Sequence, residues 1–233
     1  YDRSHAKIVG AEALVRWIDA NGKCKSPMEF IPVFEANGFI YKLDCFMWEM
    51  VCKVIRRWLD TGSQPLPISV NVSRTYLQKE DVAGYIKNLI DKYQIPMELF
   101  QLEITETTEN AESLSYINSL KQAGFTLLMD DFGSGYSSLC MLKNTPFDVL
   151  KMDRQFLDEC LDSKQGKTII SHVISMSNDL GLSIIAEGVE NRGTADFLYD
   201  NGCSVSQGFY FSKPVSIPEF EHMLDEQQTE QQR

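Results

Sequence analysis

The sequence has little histidine, no closely paired cysteines and no long apolar run. Its three His and six Cys are scattered without a Cys-x-x-Cys pair, so neither a zinc site nor a disulfide framework is indicated. A chain of 233 residues can bury a core without disulfides, and we expect reduced cysteines in a cytosolic protein. There is no signal peptide and no apolar run of the roughly 20 residues that a membrane span needs, so no membrane contact is expected from this segment.

Basic residues are also scarce relative to acids. The 22 Lys and Arg are outnumbered by 33 Asp and Glu, which gives a formal net charge of −11. Non-specific binding to DNA or RNA depends on Lys and Arg against phosphate, so a nucleic-acid polymer is not an expected partner. A small nucleotide stays compatible with this charge, because metal ions can meet its phosphates.

Strand-like and helix-like segments alternate along the chain. The seven strand candidates are residues 8–16, 68–72, 99–105, 125–129, 149–152, 183–186 and 205–209. The clearest helical pattern between them gives one apolar face, formed by Leu43, Phe46, Met47, Met50, Val51, Val54, Ile55 and Trp58. Such alternation predicts a parallel α/β sheet, either doubly wound or closed into a barrel, and seven strands in this length favour a modified TIM-like (β/α) barrel. We assign residues 1–224 to a single domain and residues 225–233 to a polar C-terminal tail.

The most informative segment is a pair of acids at the end of an apolar run. Asp130 and Asp131 follow Leu127, Leu128 and Met129, and a glycine-rich loop comes next. The run reads as a buried strand, and an uncompensated carboxylate in a low-dielectric environment costs several kcal/mol. A bound divalent cation would neutralise the pair.

Polar residues occur at or near the trailing end of every strand candidate. They are Glu12, Asn71, Glu103, Glu106, Asp130, Asp131, Lys151, Asp153, Glu187 and Gln207. An Asp or Asn after a strand often caps the next helix, which would suit Asn71 and Glu106. Capping does not account for Glu12, Glu103 and Lys151, which lie within apolar stretches where charged residues need a partner or a metal.

A parallel barrel opens all the trailing strand ends on one face, where its active site lies. Oxygen ligands without His or Cys favour Mg²⁺, Mn²⁺ or Ca²⁺ over zinc. With four or five acids available, two ions about 3.5–4 Å apart would suit phosphoryl transfer. A lysine beside them would orient the attacking water or stabilise charge on phosphate.

These residues lie in motifs that resemble the EAL domain family of cyclic di-GMP phosphodiesterases. The motifs occur in the family's order: Glu12-Ala13-Leu14-Val15-Arg16-Trp17, Asn71-Val72-Ser73, Glu103-Ile104-Thr105-Glu106, the run from Asp130 to Leu139, Lys151-Met152-Asp153, Glu187-Gly188-Val189-Glu190 and Gln207-Gly208-Phe209. The resemblance covers residues 8–214, nearly the whole chain, and implies a modified (β/α) barrel.

The resemblance implies a role for each matching residue. Metal binding would fall to Glu12, Asn71, Glu103 and Asp130 for one cation, and to Asp130 and Asp131 for a second. The implied catalytic residues are Lys151, Glu187, Asp153 and Gln207, and the implied substrate-binding residues are Leu14, Arg16, Phe209 and Pro214. Glu106 would anchor the loop of residues 131–139, which couples dimerisation to metal and substrate binding in this family.

The function implied is metal-dependent hydrolysis of cyclic di-GMP to linear pGpG by in-line attack of water. Two divalent cations, Mg²⁺ or Mn²⁺, would serve as cofactors, and Ca²⁺ is expected to inhibit. A non-catalytic cyclic di-GMP receptor is the alternative, and an unrelated magnesium-dependent barrel enzyme is a third hypothesis. The family also implies a homodimer, an upstream sensor or GGDEF domain, and a bacterial cytoplasmic location, with membrane anchoring by another region left open.

The chain departs from the family pattern at a few positions. Phe34 replaces a common Ala and Ser134 replaces a common Thr, and both lie outside the implied ligand set. The first strand of the family, with its Gln-Pro pair, would lie upstream of Tyr1. Without that strand we expect an open sheet edge and uncertain stability.

Overall fold

The computed structural model describes residues 1–76, 81–105, 111–133, 142–143 and 145–231. These residues form two compact units. The first, which we call the Glu103 unit, contains the described residues of 11–129 and 142–147. The second, which we call the Lys151 unit, contains residues 1–10, 130–133 and 148–231.

The Glu103 unit alternates strands and helices as predicted. Its elements are β1 Ala11–Glu12, β2 Trp17–Ile18, β3 Cys24–Lys25, α1 Pro27–Asn37, α2 Ile40–Thr61, β4 Ile68–Asn71, α3 Val82–Tyr93, β5 Phe100–Thr105 and α4 Ala111–Gln122, and β6 Thr126–Phe132 begins here and ends in the other unit. The sheet order is β1-β4-β5-β6, and β1, β4 and β5 are parallel neighbours. β2 and β3 form a separate antiparallel pair.

The Lys151 unit repeats the strand-then-helix pattern. After the end of β6 it contains β7 Val149–Met152, α5 Arg154–Leu161, α6 Lys164–Asp179, β8 Ser183–Ala186, α7 Arg192–Asp200, β9 Val205–Ser206 and α8 Ile217–Gln231. The sheet order is β6-β7-β8-β9, with β7, β8 and β9 parallel. Parallel pairing needs a crossover connection, and the helices between these strands supply it.

The central strands are buried on both faces. Phe100, Leu102 and Ile104 of β5 are fully buried, and Glu103 between them is only 1% exposed. All four residues of β7 are buried, and they include Lys151. Continuous apolar runs are typical of parallel strands with both faces covered. A charged residue in such a run is therefore a feature to explain.

The longest described helix, α2, buries part of its predicted apolar face, namely Val51, Val54, Ile55 and Trp58. Phe46 of the same pattern is 58% exposed, whereas Asp44 and Trp48, which the pattern leaves out, are buried. Asp44 and Trp48 are four residues apart and so share one face of the helix. The apolar pattern alone missed this because a buried Asp is not counted as a core position. Among the described residues, no helix is long and apolar enough to cross a membrane.

The strand bounds match the predictions for some strands and depart from them for β1, β6 and β9. β7 and β8 match residues 149–152 and 183–186. β1 and β9 are shorter than predicted, with two residues each. β6 extends past its apolar run to Phe132, so Asp130 and Asp131 lie within the strand and not after it. A hydrogen bond continues the strand past the two acids: the N–H of Asp153, which directly follows β7, donates to the Phe132 carbonyl at 3.2 Å.

The outer edge of β9 is paired with the N-terminal residues. Asp2 forms an antiparallel bridge with Val205. Hydrogen bonds run from the Ser206 N–H to the Tyr1 carbonyl at 2.9 Å and from the Arg3 N–H to the Ser204 carbonyl at 3.0 Å. Along these residues, the edge that we expected to be open is therefore capped by the chain itself.

The last helix continues through most of the predicted polar tail. α8 extends to Gln231, so residues 225–231 are helical. Gln and Glu are good helix formers, and the sequence lacked only the apolar periodicity that would have indicated a helix. The Gln227 side chain accepts a hydrogen bond from the Ile8 N–H and donates to the Ile8 carbonyl at 3.2 Å. This segment therefore packs against the N-terminal residues of its own unit.

Candidate functional site

Three of the predicted metal ligands lie on adjacent parallel strands of the Glu103 unit. Asn71 is in register with Glu103 on β5, and Glu12 on β1 is in register with Ser69, two residues before Asn71. The Asn71 amide donates to Glu12 Oε1 at 3.4 Å. Side chains two residues apart on a strand share a face, so these oxygen-bearing groups lie along one end of the three strands.

The burial of these three side chains is graded. Asn71 is exposed, Glu12 is half-buried and Glu103 is 1% exposed. Among the described residues, no group of three or more His, Cys, Asp or Glu is placed to hold a metal ion. The set in this unit is instead two carboxylates and one amide, and amide oxygens also bind Mg²⁺ and Ca²⁺. Its donor chemistry fits a hard divalent cation.

The Lys151 unit contains a buried ion-pair cluster. Lys151 is 2% exposed, and its Nζ lies 2.9 Å from Asp130 Oδ1 and 2.7 Å from Glu187 Oε1. Both carboxylates are themselves largely buried, with side chains 11% and 16% exposed. A buried ammonium requires such partners, because removing an isolated charge from water costs several kcal/mol. The sequence indicated that Lys151, a charge within an apolar run, needs a partner, and two of the predicted site acids provide it.

Strand pairing places these three residues side by side. Lys151 is in register with Ile185, and Met152 with Ala186. The Glu187 N–H then donates to the Met152 carbonyl at 3.0 Å, which extends the ladder by one residue. The Lys151 and Glu187 side chains therefore lie at the same end of neighbouring strands, and Asp130 reaches them from β6.

Asp131 has an unusual backbone conformation. Its φ of +58° is in the left-handed region, which Asp and Asn tolerate better than other non-glycine residues. Gly133 follows with φ +99°, and a Cβ at that position would lie 2.5 Å from the Phe156 ring. The end of β6 therefore turns sharply, which re-aims the Asp131 side chain relative to a regular strand.

Asp153 has a capping contact in addition to its predicted place beside Lys151. Its Oδ1 accepts hydrogen bonds from the N–H groups of Gln155 at 2.8 Å and Phe156 at 3.4 Å, so it is the N-cap of α5. An Asp at this position stabilises a helix by about 1 kcal/mol relative to Ala. The catalytic role implied by the family stays a prediction beside this observed one.

The other predicted residues differ in what surrounds them. Gln207 is held by its backbone, whose N–H donates to the Ala186 carbonyl at 2.7 Å. Leu14 and Phe209 are 40% and 55% exposed, and Arg16 is exposed with its guanidinium donating to the Val15 carbonyl. Pro214 is exposed, whereas Glu106 lies outside the described residues.

Sequence reasoning missed two groups of residues near these sites. Arg154 pairs with Glu190 at 2.5 Å, and its methylenes cover Gly188, where a Cβ would lie 2.4 Å from the Arg154 Cβ. The second is Asp44 on α2, which accepts hydrogen bonds from the Ser73 N–H and the Tyr76 hydroxyl. Burial raises the pKa of the Asp44 carboxyl to about 6. In the sequence, the one available signal for this cluster is that Asp44 is a single acid within an apolar helix face.

The family model of the EAL domain matches residues 1–214. The chain belongs to the EAL domain family. It is 38% identical over 224 residues to the signaling protein YkoW of Bacillus subtilis, covering 95% of this chain and 28% of YkoW. It is 34% identical over 223 residues to the cyclic di-GMP phosphodiesterase RocR of Pseudomonas aeruginosa, covering 94% of this chain and 55% of RocR. The chain thus spans less than two thirds of either relative.

A solved structure confirms the fold of this EAL domain. The phosphodiesterase PaMucR, in complex with cyclic di-GMP, superposes with a TM-score of 0.86 at 30% identity, covering 94% of this chain and 90% of that one. The predicted fold class, a modified TIM-like (β/α) barrel, is therefore confirmed.

Proposed function

We propose that this EAL domain hydrolyses cyclic di-GMP to linear pGpG. The observation that carries the proposal is Lys151, buried between Asp130 and Glu187 at the ends of adjacent strands, in a chain that keeps every acidic motif residue of the family. Relatives named as cyclic di-GMP phosphodiesterases, and a related structure with the ligand bound, support this substrate. The proposed catalytic domain is residues 1–224, and residues 225–233 extend beyond it.

The proposal includes two divalent cations, Mg²⁺ or Mn²⁺, with Ca²⁺ as an inhibitor. Glu12, Asn71, Glu103 and Asp130 would hold one, and Asp130 and Asp131 the other. When bound, such ions supply Lewis-acid stabilisation of the attacking and leaving oxygens. The graded burial of Asn71, Glu12 and Glu103 supports this assignment, since one end of the set reaches solvent and the other is held in the core.

The reacting water would be oriented by Lys151 and deprotonated with the help of Glu187. The 2.7 Å ion pair favours the carboxylate form of Glu187, which a base requires. In this step the water oxygen bonds to phosphorus, the bond between phosphorus and the ribose 3′ oxygen breaks, and that ribose oxygen takes up a proton. Gln207 would help to hold the water or substrate, Asp153 would act beside Lys151, and Glu106 would anchor the loop that follows β6.

Substrate binding would use the exposed residues of the predicted set. Arg16 would meet a phosphate through its planar guanidinium. Phe209, which is 55% exposed, would stack on a guanine, with Leu14 and Pro214 completing the guanine contacts.

The proposal has consequences for the whole protein. A homodimer, an upstream sensor or GGDEF domain and a bacterial cytoplasmic location are proposed from the family and its ligand. The relatives matched are longer than this chain, which supports additional domains in them.

Incubation with cyclic di-GMP and Mn²⁺, followed by chromatography of the nucleotides, tests the proposal. We expect pGpG in the wild type, and none with EDTA or in a Glu12→Ala variant. Intact nucleotide that remains bound to the protein would instead favour the non-catalytic receptor. Intact nucleotide without binding would reject both functions for this chain.

A further inference from the structure

A buried polar cluster adjoins the carboxyl end of β4. It consists of Glu35, Asp44, Ser73 and Tyr76, and we call it the Asp44 cluster. Asp44 and Tyr76 are 7% and 5% exposed. The Ser73 N–H donates to Asp44 Oδ2 at 3.2 Å and to the Tyr76 hydroxyl at 3.1 Å, and that hydroxyl donates to Asp44 Oδ2. The buried Asp44 carboxylate thus holds both the backbone of Ser73 and the side chain of Tyr76, which follow β4.

Two helices reach the same short segment. The Ser73 hydroxyl donates to Glu35 Oε1 of α1 at 2.9 Å. The Trp48 indole of α2 donates to the carbonyl of Asn71 at 3.2 Å. The Val72 N–H donates to the Glu103 carbonyl at 2.9 Å. All three residues from Asn71 to Ser73 are therefore fixed through their backbone by groups outside the segment.

We propose that Asp44 is a positioning residue for Asn71, and so for cation binding in the Glu103 unit. This inference rests on the proposed function, which makes the Asn71 amide oxygen a metal ligand. Asp44 does not reach the amide itself and acts through Ser73 and Tyr76. The residues behind metal ligands set the orientation of those ligands, and their loss typically weakens metal affinity by about 10–100-fold.

A purely structural role for Asp44 is the competing explanation. A buried carboxylate on a helix face is costly, and an apolar residue of similar size would often be more stable there. The cost is understandable if the Asp44 carboxylate fixes the backbone of residues 71–73, because the side chain of Asn71 must then point at the cation. A structural role would change folding stability alone, whereas a positioning role also changes the affinity for metal.

The test is a Mn²⁺ titration of the whole chain, with free Mn²⁺ followed by its electron paramagnetic resonance signal. We expect the Kd of Tyr76→Phe and Asp44→Ala to rise about 10-fold over wild type. Tyr76→Phe keeps the ring in place and removes only the hydroxyl, so it stays folded if Asp44→Ala does not. Cys52→Ala is the matched control: it removes a buried group from α2, two turns beyond Asp44, and should leave the Kd unchanged.

A double-mutant cycle with Asn71 completes the test. If Asp44 acts through Asn71, adding Tyr76→Phe to Asn71→Ala should not raise the Kd further. Additive losses, or a wild-type Kd in Tyr76→Phe, would overturn the inference. A wild type that binds Mn²⁺ but leaves cyclic di-GMP intact would reject the proposed hydrolysis while the cycle still decides the role of Asp44. A wild type without Mn²⁺ binding would overturn both.

Discussion

The two units each bury an aspartate to nearly the same extent but stabilise it differently. Asp130 in the Lys151 unit is 8% exposed, and the Lys151 ammonium lies 2.9 Å from its Oδ1. Asp44 in the Glu103 unit is 7% exposed and accepts from a hydroxyl and a backbone N–H. One carboxylate is met by a full positive charge and the other by neutral dipoles.

The difference separates a charged centre from a positioning cluster. Neutral donors do not fully offset the desolvation of Asp44, whose pKa is raised to about 6, chiefly by burial and also by the nearby Glu35. The Lys151 ammonium instead lies within ion-pair distance of two acids that the proposed chemistry uses, Asp130 and Glu187. Under the two proposals, the buried acids Asp130 and Asp44 would serve different purposes, and the partner that offsets their burial distinguishes them.

Removing Lys151 should give the largest effect. In Lys151→Met the carboxylates of Asp130 and Glu187 lose their buried counter-charge, and the free energy of unfolding in EDTA should fall by about 3–5 kcal/mol. Urea denaturation measures this. Lys151→Met combined with Glu187→Gln removes one of the uncompensated charges and should recover part of the loss. A single variant as stable as wild type would show that the cluster does not depend on the lysine charge.

The pH dependence of stability should report Asp44. Its pKa is raised in the folded state from the usual 3.8 to about 6, so the folded chain holds a proton that the unfolded chain releases. The stability that this proton contributes is complete below pH 3.8 and is lost as pH rises to about 6. The loss approaches 3 kcal/mol for a shift of about two pKa units.

The matched variant for this prediction is Asp44→Asn. The free energy of unfolding of the variant should rise relative to that of wild type between pH 4 and pH 7, because the variant has no carboxyl proton at residue 44 to lose. Glu35 and Tyr76 face Asp44 and remain in both proteins, so the difference isolates one group. A difference that is flat over this range, or that changes in the opposite direction, would contradict the neutral-donor account.

Substituting Glu12 should separate metal affinity from folding. Glu12→Gln keeps the size of the side chain and an acceptor for the Asn71 amide, which lies 3.4 Å away. We expect the Mn²⁺ Kd to rise about 10-fold, or about 1.4 kcal/mol. Stability in EDTA should stay within about 0.5 kcal/mol. Calorimetric titration and denaturation in EDTA measure the two quantities, and a stability loss without an affinity loss would reject Glu12 as a ligand.

The smallest effect is expected at the exposed ion pairs of Arg154, which lies 2.5 Å from Glu190 and 3.3 Å from Asp158. Arg154 and Glu190 are both about half exposed, unlike the buried pairs of Lys151. Arg154→Gln should lower the Tm by less than about 3 °C at low ionic strength, and by less still in 1 M salt, because solvent screens the pair. A salt-independent loss would point to the packing of the Arg154 methylenes on Gly188 as its source.

Much of the strand framework could be predicted from the sequence, because buried parallel strands are local apolar runs. β7 and β8 match their predicted ranges for this reason. The extension of β6 through Asp130 and Asp131 could not be predicted so directly. Two acids indicate locally the end of a strand, whereas the hydrogen bond from the Asp153 N–H to the Phe132 carbonyl continues the strand past them.

The site residues were indicated by type and position, but their partners were not. Lys151 was marked by being charged within an apolar run, whereas its contacts with Asp130 and Glu187 depend on strand register. The Asp44 cluster joins helices to a turn about 30 residues away in sequence. Such a contact leaves only one local trace, an Asp on an apolar helix face.

Hydrolysis in ¹⁸O-labelled water would test the central claim most directly. The EDTA-treated chain, supplied with Mn²⁺ and cyclic di-GMP, should release pGpG that carries one ¹⁸O atom in its terminal phosphate, as mass spectrometry would detect. That result requires water to attack phosphorus and the ribose 3′ oxygen to leave. Nucleotide that remains cyclic, or pGpG without the label in its phosphate, would contradict the account.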